Sequence, residues 1–504
     1  MEKIGMSFFK KIHAGNILLF LLCSMAFALL GLRLVLALSY LPETGGVSIN
    51  VLYGIARLSG GHPLYTSPEL PPFPIIQYMP LHFYLVSGIA QLTGNGGDVH
   101  ALMVINRLLC LLFDLFSVMV IVYTLRRVLF IPAVLTWAMS CIYFLMIPGI
   151  LYGRSDNLYL LFFLVTLAIL LKSFLYPRSK ALQVLSTAML AGIFSALAFF
   201  SKQTGVFLVG FCTLHYLITE RSFKHLLAYA GGMLICGGIL GVLFLPESFV
   251  AVKMNVVDGV KNGINPGWFI EVILKNFFLK FSYVIAAGFL TAYLLFRSRQ
   301  DIAARMLATG IVFFFLIALL TTFKAGSGPN YFMEFIAFSI LGMAYLIRKT
   351  ENMSSTAVVF ALALSPFFLL ASANDKGWGD VSQMKKMRAD YQDCIAVKEY
   401  LLPRLSADEW VLTDFHKESL VNICLSDKAL FPCREVALYF TYPLGVFRFE
   451  AFAGLVQTGK IPFLVFGKKD APDTFLEVSL EDYKPEKEFG RYIIYRYQAP
   501  LKAD

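Results

Sequence analysis

Charge is what this sequence has least of. Only 15% of its 504 residues are Asp, Glu, Lys or Arg, against about 25% in ordinary globular chains. That shortage excludes a water-soluble body made of most of this chain, because a surface in water needs polar side chains to cover it. Cysteine and histidine are also few, eight and seven, and they show no zinc-ligand spacing. Neither a dinucleotide-binding glycine fingerprint nor a P-loop occurs. An Asp-x-Asp motif of nucleotide-sugar enzymes is missing as well, so a cytosolic nucleotide-sugar enzyme has no support. No internal repeat and no low-complexity segment is found, which weighs against a transporter or lipid flippase built from inverted repeats.

What the sequence has instead is apolar length. Hydrophobic residues make up 58% of it and the mean hydropathy is +0.69. A chain this apolar needs lipid as the solvent for most of its surface. Apolar runs lie at 17–39, 102–124, 129–151, 157–175, 183–200, 203–219, 226–245, 280–296, 305–322, 332–347 and 355–373. Most approach the roughly 20 residues that cross a hydrocarbon core of about 30 Å. The first is longer than the core of a cleaved signal peptide and is read as a retained helix. These eleven runs predict an α-helical polytopic membrane protein of about 11 spans.

The net charge of +10 would suggest nucleic acid in a soluble protein. Here the lysines and arginines mark loops. Lys3, Lys10 and Lys11 precede the first span, and Arg126-Arg127, Lys172 to Lys180, Arg221 to Lys224, Arg297 to Arg305 and Arg348-Lys349 fall in alternate loops. The positive-inside rule puts that set and the N-terminus in the cytoplasm. The other loops, and the tail from 374, then lie outside. This threading requires the apolar stretch 78–93 not to cross. Led by Pro80 and holding His82, it suits an interfacial or re-entrant helix.

Two segments stand apart from the spans. Loop 40–101 is dense in proline, with Pro42, Pro63, Pro68, Pro71, Pro72, Pro74 and Pro80, which excludes long helices there. The tail, 374–504, has ordinary soluble composition. Its residues 385–403 read as a helix, and Trp410–Thr413, Pro462–Phe466 and Arg491–Tyr495 read as strands, predicting a small extracytoplasmic α/β domain. Cys23, Cys110, Cys141, Cys212 and Cys236 sit in apolar runs as small hydrophobes. In an oxidising compartment Cys424 and Cys433 could pair, leaving Cys394 over.

The polar residues that interrupt apolar runs gather in the external set. Gly153-Arg154-Ser155-Asp156-Asn157 separates two runs. Mid-membrane Arg or Asp costs about 2.5–3.5 kcal/mol each, so this pair sits at the interface or in a wet cavity. It either caps the next helix or presents a charged pair to a headgroup. Ser201-Lys202-Gln203-Thr204-Gly205 does the same; Lys202 either snorkels to lipid phosphate or serves as a phosphate ligand. Lys324-Ala325-Gly326-Ser327-Gly328-Pro329-Asn330-Tyr331-Phe332-Met333-Glu334 is a glycine-rich loop running into a helix. A first-turn position on the helix dipole accounts for Glu334; the Gly and Asn cluster admits close backbone approach to a ligand. In the first loop the acids are Glu43, Glu69 and Asp98. Glu43 is either an ordinary interfacial carboxylate or a general base beside the bilayer. Arg107 and Asp114 share a face of one span, and a structural role is expected for them.

Taken in order, these segments resemble the GT-C superfamily of integral-membrane glycosyltransferases. They are most similar to bacterial relatives of protein O-mannosyltransferases and lipid A aminoarabinose transferases (the glycosyltransferase family 39 type). The resemblance is carried by Gly60-Gly61-His62-Pro63-Leu64-Tyr65 with Tyr78-Met79-Pro80-Leu81-His82-Phe83-Tyr84, then Gly153 to Tyr159, Ala198 to Gly205, and Asn330 to Glu334. It covers about 15–345 and leaves the tail unmatched. It implies a sugar donor on a polyprenyl phosphate, a glycan, lipid or protein acceptor, and transfer with inversion on the outer face of the inner (plasma) membrane. An acid of the first loop would deprotonate the acceptor. Where relatives commonly carry that acid, this chain has Val47 and Ser48, and Glu43 is the nearest acid upstream. Asp156 matches a second acid that in some relatives helps to bind a metal or the acceptor, which leaves a divalent metal open. Arg154 and Lys202 would meet the donor phosphate as it leaves. Gln203, Tyr65, Tyr78, His82, Asn330, Tyr331 and Glu334 would bind substrate. An O-antigen-type polymerase or ligase shares the donor chemistry but not these segments.

Overall fold

The computed structural model describes residues 2–41, 48–146, 153–176, 181–245, 248–298, 301–349, 384–413, 420–425, 428–433, 435–468 and 473–498. Glu43 and the run 355–373 lie outside the described residues. The helices in chain order are α1 (Glu2–Ala37), α2 (Ser48–Ser59), α3 (Leu81–Leu92), α4 (Val99–Tyr123), α5 (Ala133–Met146), α6 (Asp156–Leu175), α7 (Ala181–Ser201), α8 (Gly205–Leu214), α9 (Phe223–Phe244), α10 (Phe249–Val256), α11 (Pro266–Trp268), α12 (Ser282–Phe296), α13 (Ile302–Thr321) and α14 (Met333–Lys349). The tail adds α15 (Met384–Leu401), α16 (Val421–Cys424) and α17 (Glu450–Gln457).

Among the described residues seven helices are long and apolar enough to cross a membrane: Leu19–Ala37, Val99–Val128, Asp156–Leu175, Val184–Ser201, Phe223–Phe244, Ile302–Thr321 and Pro329–Lys349. Four shorter apolar helices accompany them, Leu81–Leu92, Ala133–Met146, Gly205–Ile218 and Ser282–Phe296. The stretch read as non-crossing forms α3, whose twelve residues reach only about 18 Å at 1.5 Å each. The chain is a multi-pass membrane protein. Its long helices carry exposed side chains such as Phe20, Phe27, Leu234 and Val242, which lipid can solvate and water cannot.

Local chemistry starts and packs these helices. Asp98 caps α4, accepting from His100 N at 2.8 Å, and Asp301 caps α13, accepting from Ala304 N at 3.0 Å. Helices α7 and α9 touch backbone to backbone. A Cβ on Gly192 would stand 2.0 Å from Tyr229 O, and one on Gly232 would stand 2.1 Å from Met189 O. Small residues permit that approach where no hydrophobic force drives helices together in lipid.

The bundle has two chemically different ends. At one end the basic loops meet: Lys172 donates to Tyr123 OH at 2.8 Å, Tyr176 OH to Val128 O at 3.0 Å, and Lys349 pairs with Asp301. At the other end lie α2, α3, the 60–80 loop and the tail. The predicted tail elements appear as α15 and as strands β1 (Val411–Thr413), β2 (Ala429–Leu430), β3 (Phe463–Gly467), β4 (Thr474–Phe475), β5 (Val478–Ser479), β6 (Tyr483–Phe489) and β7 (Tyr492–Tyr497). Five of them form a mixed sheet ordered β2-β1-β3-β7-β6, with β1 parallel to β2 and β3 and the rest antiparallel.

The sheet does not have a core to itself. Its buried residues pack in one cluster with Val51, Tyr65, Phe73, Ile75 and Phe83 of the first loop. Phe73 stacks on Phe431 with ring centres 4.6 Å apart, and Phe431 N donates to Pro72 O at 2.8 Å. Cys424 and Cys433, which could have paired, do not: both thiols are buried and free, and Cys424 lies beside Cys394. The connection from 420 to 433 folds α16 toward α15 and carries Cys433 away to the first loop, near Ile75.

Candidate functional site

The site is built on the first residue of α6. The Gly153 turn positions it: Gly153 has a φ of +72°, a left-handed geometry that glycine adopts without steric cost. Asn106 of α4 donates to Gly153 O at 3.2 Å, and Cys110 to Arg154 O at 3.3 Å. The turn therefore rests on α4 and delivers Asp156 into the protein with no solvent exposure.

Three side chains converge on that carboxylate. Lys202 Nζ donates to Oδ1 at 2.6 Å, Asn330 Nδ2 to Oδ1 at 2.8 Å, and Arg154 Nε to Oδ2 at 3.2 Å. These residues come from the α6 turn, the end of α7 and the start of α14, far apart in the chain. A buried charge is tolerated when it is paired and hydrogen-bonded, and Asp156 is both. Burial opposes the charge on Lys202, but Asp156 more than offsets it, so the ammonium is held above the usual lysine range. Lys202 also stands over the Tyr331 ring, 5.3 Å from its centre, a cation–π geometry. Glu334 is buried close by, facing Tyr159 and Lys202. Tyr78 closes the group from the first loop; burial pushes its phenol up, against the pull of Arg154.

Asp156 and Asn157 are tied to a second buried centre. Asn157 Nδ2 donates to Asp114 Oδ1 at 2.9 Å, and Arg33 of α1 donates to Asp114 Oδ2 at 2.8 Å. Arg107, seven residues before Asp114, has a different task. It donates to the carbonyls of Leu36 at 3.3 Å and Ser39 at 3.1 Å, and to Leu41 O. It thus caps the end of α1 just before Pro42-Glu43. Both charges are structural, as expected, but each has its own partner.

Other predicted site residues stand behind this group. His82 is fully buried, and its Nε2 meets Asn106 Oδ1 at 2.8 Å; it braces the Gly153 turn. Tyr65 OH donates to Tyr78 O at 2.7 Å, and Gln203 Nε2 to Gln77 O at 2.8 Å. These two hold the loop that carries Tyr78. The structure therefore brings Arg154, Asp156, Lys202, Asn330, Tyr331, Glu334 and Tyr78 together, with Tyr65, His82 and Gln203 as supports.

Lys324 opens the glycine-rich loop that leads to Asn330 and Glu334. Its side chain is half-buried, and among the described residues no carboxylate pairs with it. Burial and the nearby Lys202 charge push its amine down to about 8. Its signal in the sequence is a lone lysine in a loop of the less basic set, as for Lys202. Arg33, Asn106 and Asn157 had no such signal, since their partners lie in other helices.

A divalent metal fits poorly at Asp156. Both carboxylate oxygens already accept from Lys202, Asn330 and Arg154, and a hard cation would have to displace an ammonium to reach them. Among the described residues no three His, Cys, Asp or Glu side chains group as a metal site.

The protein gathers Lys202, Arg154 and Asn330 around one buried carboxylate at one end of a membrane bundle. Its overall fold is similar to that of ArnT from Cupriavidus metallidurans bound to undecaprenyl phosphate, with a TM-score of 0.59, 13% identity, and coverage of 95% of this chain and 98% of that one. It is also similar to the Archaeoglobus fulgidus oligosaccharyltransferase tethered to an acceptor peptide, with a TM-score of 0.54, 11% identity, and coverage of 88% and 69%. No protein-family model matches the chain, and no curated protein sequence does. The likeness to these two proteins is one of overall fold and runs over most of the chain.

Proposed function

We propose that this protein is a glycosyltransferase that takes a sugar from a polyprenyl-phosphate carrier and places it on an acceptor at the membrane face opposite its basic loops. The carrying observation is the convergence of Arg154, Lys202 and Lys324 at one bundle end. Arg154 and Lys202 share one carboxylate, and Lys324 has no ion-pair partner among the described residues. That leaves positive charge at the level where a lipid phosphate sits. Such preorganised cations stabilise charge as it develops on a leaving group. The similar ArnT from Cupriavidus metallidurans is bound to undecaprenyl phosphate.

In this reading an acceptor hydroxyl attacks the anomeric carbon and the bond from that carbon to the phosphate oxygen breaks. The electron pair leaves with the lipid phosphate, toward Lys324, Lys202 and Arg154. The hydroxyl proton passes to a first-loop acid, for which Glu43 is the candidate. Asp156 is a poor base, because three donors already hold its oxygens; its role is to position Lys202 and Arg154. The N-terminus and basic loops lie in the cytoplasm, and the 384–498 region lies outside.

The test is sugar transfer in membranes supplied with radiolabelled polyprenyl-phosphate sugar. Wild type should label an extractable product, and Glu43→Gln at equal expression should not. No transfer from any polyprenyl-phosphate sugar would overturn the reading, and full activity in Glu43→Gln would remove the base assignment alone.

A further inference from the structure

A cavity lies at the end of the bundle where the basic loops meet, outside everything the transfer reading uses. It has a volume of about 830 Å³ and is lined by α4, α6, α7 and the start of α9. Lys172 at its mouth is about 24 Å along α6 from Asp156, at 1.5 Å per residue. A hydrocarbon core is about 30 Å thick, so this mouth stands near the opposite headgroup plane. The walls are apolar, with Ile169 of α6 and Leu190 of α7 facing the space. Leu190 is 43% exposed, so this wall is open to the surroundings of the bundle and not sealed in its core.

The mouth is cationic. Lys172, Lys224, His225 and Glu220 line it. The one carboxylate is already engaged, with Glu220 Oε2 at 3.1 Å from His225 Nδ1. Lys172 is held in place by Tyr123, donating to its hydroxyl at 2.8 Å and lying 5.5 Å from its ring centre. Tyrosine is neutral, so the Lys172 charge is positioned but not cancelled. Among the described residues Lys224 makes no ion pair. Two ammonium groups thus face an open cavity with apolar walls.

We infer that this cavity binds one anionic glycerophospholipid of the leaflet on the basic-loop side, its phosphodiester at Lys172 and Lys224 and an acyl chain between Ile169 and Leu190. Charge complementarity selects the headgroup, and the apolar walls select a lipid over a free anion. A zwitterionic headgroup brings its own cation to the same lysines and loses the advantage.

Native mass spectrometry of the full chain, purified in neutral detergent and titrated with phosphatidylglycerol or phosphatidylcholine of matched chains, tests this. A lysine near a membrane surface contributes about 1 kcal/mol toward an anionic lipid, so two of them should favour phosphatidylglycerol by about tenfold or more. Lys172→Gln with Lys224→Gln should bring that ratio close to one. Leu190→Trp, which fills the wall and keeps both lysines, should lower retention of phosphatidylglycerol by itself. Equal retention of both lipids in the wild type, a preference surviving the double substitution, or displacement of phosphatidylglycerol by equimolar inorganic phosphate would each overturn the inference.

Discussion

Lys202 Nζ lies 2.6 Å from Asp156 Oδ1 with both side chains buried, and Asp156 is the anion around which the rest of the site is placed. Removing one partner of a buried pair costs about 3–5 kcal/mol, because it strands the other charge. Asp156→Asn should therefore lower the thermal midpoint of the detergent-purified chain sharply and raise the donor KM. The double variant Asp156→Asn with Lys202→Met should lose less stability than the two single losses added together, as coupled residues do. Strict additivity in that melting cycle would show that the pair is not coupled.

Lys324 gives the proposed reaction a pH signature. Its amine is pushed down to about 8, so it is charged below that pH and neutral above it. If it receives the donor phosphate, kcat/KM for the donor should hold steady below pH 7 and fall through a midpoint near 8, which reports the free enzyme's group. Lys324→Arg should extend the plateau upward, because guanidinium stays protonated. An unchanged falling limb in that variant would take Lys324 out of donor binding.

The Gly153 turn should tolerate no side chain. Its φ is +72°, and an added Cβ would stand 2.8 Å from Asn106 Nδ2. Left-handed geometry alone costs a side-chain residue about 1–2 kcal/mol. Gly153→Ala should lose both stability and transfer. Asn106→Leu should resemble it, since Gly153 O and His82 then lose a partner at about 1–3 kcal/mol each. Melting curves and transfer assays on the two variants would read this directly, and wild-type behaviour in Asn106→Leu would show that the His82–Asn106 brace is dispensable.

The tail should be needed to order the first loop. Phe431 stacks on Phe73 inside a core shared by both segments, and a buried Phe→Ala change costs about 3–5 kcal/mol. Phe431→Ala should expose residues 60–80 to protease while leaving the spans protected. Cleavage restricted to the tail would mean that the loop holds itself.

Much of the architecture was already legible in the order of residues, because long-range sidedness in a membrane protein is written in local composition. Arg126-Arg127, Lys172 and Arg348-Lys349 mark one end of the bundle whatever their neighbours do. Pro80 and a short run marked α3 as too brief to cross, and the alternation around Val411, Phe463 and Ile493 marked strands. The polar interruptions at Arg154-Asp156, Lys202 and Asn330 were visible for a related reason: a charge between apolar runs is costly in lipid and stands out.

Pairing was not legible. Arg107 and Asp114 share a helix face, yet Asp114 binds Arg33 of α1 and Asn157 of α6, while Arg107 binds carbonyls at the end of α1. His82 reads as a ligand and lies buried against Asn106; Asp156 reads as an acid and accepts from three donors drawn from separate parts of the chain. By itself the sequence determined what each segment could be: lipid-soluble helix, basic loop, proline-rich loop, small sheet. Only the tertiary structure decided which charges neutralise one another and which, like Lys324, have no carboxylate beside them among the described residues, because Coulomb energy and hydrogen bonding depend on distances of a few ångströms between residues that can lie more than a hundred positions apart.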